Sequence, residues 1–322
     1  MNRALVLFCT LALLGGALPA GAADGGLAYD AVSKFLPSVD ANTVEPGDFA
    51  ADYETASKVA DAPPSHGGML GRLQNQIAAA GGMMAALHNG MAERHFIAGT
   101  KERTDYPSLQ KADIVDCSTR TITSLDLKAK TYTVTSLDAP VTHSSSGGHS
   151  APGPSATDDG TKLAITIANH ALGAKAVSGV SAQGYASDIT MVATKANGDS
   201  STSKMNLKEY ISKTPRVSLV CSAGGHASTA SLPGAGMMSQ YTAMMAALGT
   251  KNSRFSFSSS GPALPAAQLP LFEAVGFTAG GSDRGASGQS GQLTVVTERG
   301  NVRAIGAADP VFSVPADFTK TN

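Results

Sequence analysis

The chain contains no tryptophan, aromatic residues make up 5% and charged residues 15%, and it holds only three cysteines. Each shortage excludes something. With a formal net charge of −1 and no basic stretch interleaved with aromatics, there is no electrostatic footprint for nucleic acid and no polybasic segment for anionic lipid. No apolar run after the N-terminal one approaches the roughly 20 residues a membrane-spanning helix needs, so no transmembrane segment is expected in the mature chain. No glycine-rich turn leads into Gly-Lys-Ser/Thr and a helix, which removes the usual phosphate cradle. The serine motifs Gly285-Ala286-Ser287-Gly288 and Gly288-Gln289-Ser290-Gly291 miss the strand-turn-helix setting of a nucleophile elbow and sit in a low-complexity loop. Acid pairs such as Asp113 with Asp116, or Asp158 with Asp159, read as strand-end and turn residues. No catalytic constellation stands out, and a non-enzymatic protein without a cofactor is expected.

What is present begins with an export pattern. Arg3 precedes an apolar run from Ala4 to Leu18, and Pro19-Ala20-Gly21-Ala22-Ala23 supplies the small residues a signal peptidase requires. Cleavage near Ala22 to Asp24 would deliver the chain to the periplasm or the exterior. Cys9 lies inside the apolar run and follows the bulky Phe8, so it does not read as a lipid-attachment site. Removal of the signal leaves Cys117 and Cys221, an even pair in an oxidising compartment, which points to a disulfide. Two buried free thiols, or a metal pair drawing on His226, are the alternatives.

Alternation of period two is clearest in Thr161 to Ile167, where Leu163, Ile165 and Ile167 share one face. The same parity recurs at Ile189 and Met191, at Val217, Leu219 and Cys221, at Phe255 and Phe257, and at Leu293 and Val295. Between Glu93 and Val134 several short β-rich runs are joined by tight turns, including Asp126 to Lys130. Asn197-Gly198-Asp199 and Arg299-Gly300-Asn301 read as hairpin turns. Helical pattern is confined to Leu27–Phe35, Met69–Met91, Asn206–Ser212 and Met237–Leu248. These elements describe an α+β protein: a curved antiparallel sheet whose apolar face is covered by short helices. Its organisation reads as a signal peptide over 1–23, an N-terminal mobile segment with a short helix over 24–68, and a sheet domain over 69–322. Segments 139–160, 222–236 and 278–291, rich in Gly, Ser, Pro or Ala, read as disordered loops.

The runs Lys101-Glu102-Arg103-Thr104-Asp105-Tyr106, Asp113-Ile114-Val115-Asp116, Ser124-Leu125-Asp126 and Lys130-Thr131-Tyr132 resemble an uncharacterised family of exported bacterial domains. Gly173, Lys175, Val177, Gly179 and Tyr185, then Leu264 to Phe272 and Phe312-Ser313-Val314-Pro315, fit its later strands. The resemblance spans about residues 90–320. It implies a half-barrel similar to the carriers of outer-membrane lipoproteins (LolA-like), with helices in its concavity.

Three uses follow for such a protein. As a binding module it would hold a lipid, an acyl chain or an apolar partner against Leu163, Ile165, Ile167, Ile189, Met191, Val217, Leu219, Phe255 and Phe257, residues that would equally fill a plain core. As an envelope metal handler it would bind copper through Met84, His88 and Met91, with His95 next along the same helical face if the helix continues that far. His143 and His149 add loop ligands. As a structural or assembly factor it would use its edge strands and loops. Lys101, Arg103, Lys111 and Arg120 form a basic set that reads as an ordinary solvated face balanced by Glu102, Asp105 and Asp113.

Overall fold

A computed structural model describes residues 25–58, 89–138, 162–194, 197–217, 219, 221, 254–265, 267–278 and 292–321. The strands are β1 (Gly26–Pro37), β2 (Met91–Ala98), β3 (Lys101–Tyr106), β4 (Lys111–Asp116), β5 (Thr121–Asp126), β6 (Thr131–Ser136), β7 (Lys162–Val177), β8 (Val180–Thr194), β9 (Ser200–Pro215), β10 (Arg254–Ser260), β11 (Gln268–Thr278), β12 (Gln292–Ile305) and β13 (Thr319–Lys320). All belong to one 13-stranded sheet of order β10-β7-β8-β9-β11-β12-β1-β2-β3-β4-β5-β6-β13. Every pairing is antiparallel except the two at the edges, β10 with β7 and β13 with β6. Among the described residues the α-helix that packs on them is α1 (Phe49–Ser57). The described protein is thus essentially all-β on an open mixed sheet, which corrects the α+β antiparallel half-barrel with helices in its concavity.

The correction has a local cause. Leu27–Phe35 and Asn206–Ser212, read as helices, are strands β1 and β9. Both lie inside the sheet and bury residues of both parities, Leu27 with Ala28 and Val32 in one case, Leu207 with Lys208, Tyr210 and Ile211 in the other. Burial on both faces erases the alternation that marks a half-buried strand. Arg299-Gly300-Asn301 is not a hairpin turn either: it lies within β12, at the register shift opposite Ala28 and Asp30. Asn301 adopts φ 53° there and donates from Nδ2 to Asp30 Oδ2 at 2.8 Å. A Cβ on Gly300 would stand 2.5 Å from the Phe49 ring, so the helix closes on the sheet only over glycine. The turns at Asn197–Asp199 and Asp126–Lys130 do connect strands, with Gly198 and Lys130 both at positive φ. Outside the described residues lie 1–24, the helical readings Met69–Met91 (apart from 89–91) and Met237–Leu248, and the three loops apart from Thr278.

Cys117 and Cys221 form a disulfide with a Cα–Cα distance of 5.2 Å. β9 ends at Pro215, and the described residues Val217, Leu219 and Cys221, expected on a strand, carry no strand assignment. Cys117 follows β4, six strand positions away from β9. A flat sheet would separate those strands by about 29 Å at ~4.8 Å per strand. The six residues from Pro215 to Cys221 reach at most ~22 Å fully extended, and the bridge adds its 5.2 Å. The sheet therefore bends, and the strap that leads from β9 to Cys221 sets Arg216 and Val217 over its concave face.

The convex face is covered in three places. Helix α1 sets Phe49 and Ala56 against Val32 and Ala92. The short 3-10 turn Ala41–Thr43 seats Ala41 in the core around Phe272, Ala274 and Val296. The C-terminal segment packs Phe312 on Ala28, Phe96 and Ala98, and Val314 and Phe318 on Ala112, Ile114 and Leu125.

Candidate functional site

Strand register assigns the opposite, concave face residue by residue, because directly paired residues point to the same side. Its outermost row runs Ile167, Ile189, Met205, Phe277 and Leu293. Beside it Leu163 is paired in register with Phe255, and Ile165 with Phe257 and Met191. The next row is Ser187, Leu207, Val275, Val295 and Phe35. Then the chemistry changes. The following row is Tyr185, Glu209, Glu273, Thr297 and Ser33. After it come Arg299, Ala31 and Glu93, then Tyr29, His95 and Thr104, then Leu27, Ile97 and Glu102.

Six of the nine residues proposed from sequence as an apolar lining, Leu163, Ile165, Ile167, Ile189, Met191 and Phe257, therefore share this face. Ile165 and Ile189 are buried in a cluster with Met205, Leu207 and Val275, and Leu163, Ile167, Met191 and Phe277 pack partly exposed around it. Phe257 is 58% exposed on the edge strand and Leu293 43% exposed at the end of β12. Val217 and Leu219 belong instead to the strap, where Val217 packs against the cluster that holds Leu27 and Leu271.

The ionisable rows are buried. Glu273, Arg299, Glu93, His95 and Glu102 are all shielded from solvent, while Glu209 is partly buried. Arg299 Nη2 lies 3.6 Å from Glu273 Oε2 and its Nη1 donates to the Pro270 carbonyl at 3.0 Å. Glu209 stands directly opposite Glu273, a pairing of like charges across strands that is costly when both ionise. Burial, reinforced by Glu273, pushes Glu209 up to about 8 against the pull of Arg299 and Arg216. Burial likewise raises Glu273, against the pull of the same two arginines. Arg216, the first residue of the strap, thus contributes its charge to this face.

Further along, His95 Nε2 pairs with Glu93 Oε2 at 2.9 Å, and its Nδ1 faces Thr104 Oγ1 at 3.4 Å and Glu102 Oε1 at 4.0 Å. Tyr29 stacks on His95 with ring centroids 4.8 Å apart. Burial raises Tyr29 and Tyr106 above the usual phenol range, with Glu93 and Glu102 adding to it. Thr104, His95 and Glu93 repeat the order hydroxyl, imidazole, carboxylate. Thr104 is only 1% exposed, however, and a nucleophile must meet its substrate.

No family model, curated protein or solved structure matches this chain.

Of the copper ligands read from sequence, Met91 and His95 fall among the described residues. Met91 and His95 lie on β2, where residues four apart are ~13 Å apart along the strand rather than one helical turn. Met84, His88, His143 and His149 fall outside the described residues. Among the described residues, no group of three or more His, Cys, Asp or Glu side chains is arranged to hold a metal ion. The basic set is largely internally paired: Lys101 with Asp116 at 3.9 Å, Arg103 with Asp105 at 2.6 Å, and Arg120 with Asp138. Glu102, read as part of a solvated face, is buried.

Sequence reasoning passed over Glu209, Glu273, Arg299, Tyr29 and Glu93. Glu273 carried a signal: it is a lone acid in the apolar run Leu269 to Phe277. Glu209 continues the parity of Met205 and Leu207, a pattern hidden while that stretch read as helix.

Proposed function

We propose that this chain is an exported, non-enzymatic binding protein whose concave face holds the apolar chain of a lipid-like ligand, with the ligand's polar end toward the ionisable rows. One observation carries the reading. Along β8, β11 and β12 a single face passes from exposed or partly exposed apolar side chains (Met191, Phe277, Leu293), through buried apolar ones (Ile189, Val275, Val295), to charged and hydroxyl side chains, and β9 between them passes from buried Met205 and Leu207 to Glu209. From Phe277 to Glu273 that gradient covers ~13 Å of strand. An amphiphile has the same polarity along its length, and pockets for small ligands are mostly apolar with a few placed polar groups. A soluble protein gains nothing from leaving Phe257 and Leu293 in water beside a continuous apolar cluster unless something covers them.

Export is supported by the N-terminal pattern and by the disulfide, a bond that persists in oxidising compartments. No helix among the described residues is long and apolar enough to cross a membrane.

The test is titration with a fluorophore-labelled acyl chain followed by displacement with an unlabelled one. Saturable binding is expected, weakened about tenfold or more by combined Phe257→Ser and Ile167→Ser. Leu109→Ser, which removes an equally exposed apolar side chain from the turn after β3, should leave it unchanged. Absence of uptake by the unsubstituted protein would refute the proposal.

A further inference from the structure

The polar end of the ligand can be specified further, resting on the binding reading above. We infer that the concave face receives a hydrogen-bond-donating, cationic head, an amine rather than a carboxylate or phosphate, at Glu209 and Glu273.

Glu273 is 1% exposed, and its Oε2 has no hydrogen-bond partner. A buried carboxylate oxygen without a donor is costly, of the order of 1–3 kcal/mol or more, and is rarely left so. Its nearest described cation, the Arg299 guanidinium, stands off at 3.6 Å and spends Nη1 on the Pro270 carbonyl. What that oxygen lacks is a donor. Ser33 and Thr297, the hydroxyls of the same row, are engaged with each other at 3.1 Å.

Glu209 supplies access to the spot. It is paired in register with Glu273, points to the same side, and is partly exposed, as is Tyr185 opposite it on β8. A head that enters between Tyr185 and Glu209 meets both carboxylates. The adjoining row toward the exposed end of the face, Leu207 and Val275, is apolar, so the attached chain lies where water is already excluded.

The charge of the face agrees. Its described buried or partly buried carboxyl groups include Glu93, Glu102, Asp113, Asp126, Glu209 and Glu273, against the guanidinium groups of Arg299 and Arg216 and the imidazole of His95. An anionic head would add to the acid excess and face Glu209 directly. A cation favours the ionised form of both groups, so its binding displaces the proton that Glu209 otherwise holds up to about 8, and it supplies the missing donor.

The experiment compares decylamine with decanoate, which carry chains of equal length, by calorimetric titration of the full chain near neutral pH below the micellar range. Decylamine should bind at least about tenfold more tightly. Glu273→Gln should cut decylamine affinity about tenfold or more while leaving decanoate unchanged or improved. Glu209→Gln, at the partly exposed position, should weaken decylamine in the same direction and serves where the buried variant does not fold. Equal or tighter binding of decanoate, or amine affinity unmoved by both substitutions, would overturn the inference and leave the binding function standing. Failure of both probes to bind would overturn the binding function itself.

Discussion

Burial, reinforced by Glu273 directly opposite, holds Glu209 far above the ordinary carboxylate range. A folded-state value raised to about 8 from 4.5 means that the unfolded chain gives up this proton well before the folded one does. The folded state therefore holds more protons across that window, and its stability is greatest below it and falls as pH rises toward about 8. Urea denaturation at several pH values should show this decline, and Glu209→Gln should flatten it, since each tenfold difference in proton affinity between the folded and unfolded chain is worth about 1.4 kcal/mol. Arg299 gives the complementary result. Arg299→Met strips Glu273 of its guanidinium partner and should cost on the order of 3–5 kcal/mol, much of it recovered in the double variant with Glu273→Gln. Equilibrium unfolding of the two single variants and the double one measures it. At this scale the apolar half of the face was legible in the sequence, because Ile165, Ile189 and their neighbours alternate with polar residues. The charged half was not: Glu273 and Arg299 gain their meaning from strands brought beside them by pairings distant in the chain.

At the scale of elements, the strap from Arg216 to Cys221 connects curvature to covalent chemistry. The bridge closes a separation of 104 residues, for which the chain-entropy model gives about 4–5 kcal/mol as an upper figure. Cys117→Ser with Cys221→Ser should lower the thermal midpoint accordingly. Because Arg216 offsets the Glu209 and Glu273 charges, release of the strap should also raise Glu209 further, a change that carbon-detected NMR of the carboxyl would follow. Gly300→Val should destabilise through α1, since its side chain has no room against Phe49; a drop of roughly 1–3 kcal/mol by urea denaturation is expected. Short strands β2 to β6 were readable from their spacing because tight turns of two to four residues punctuate them. Strands β1 and β9 were not, since both of their faces are covered, and a sequence buried on two sides carries no period of two.

At the scale of the molecule, one face of a bent 13-stranded sheet is closed by α1, the turn at Ala41–Thr43 and the C-terminal segment, while the other presents a gradient from apolar to ionisable. The disulfide is consistent with the proposed export from the reducing cytosol. The composition offers no basic footprint for nucleic acid, a binding module was one of three uses the sequence suggested, and the face found by strand register gives the proposed module a direction. The most direct test is native mass spectrometry of the freshly purified, oxidised protein, before and after incubation with decylamine. A discrete one-to-one adduct that is lost when Phe257 and Ile167 are both replaced by serine is the predicted result. A spectrum showing only the bare chain under both conditions would contradict a ligand-holding face.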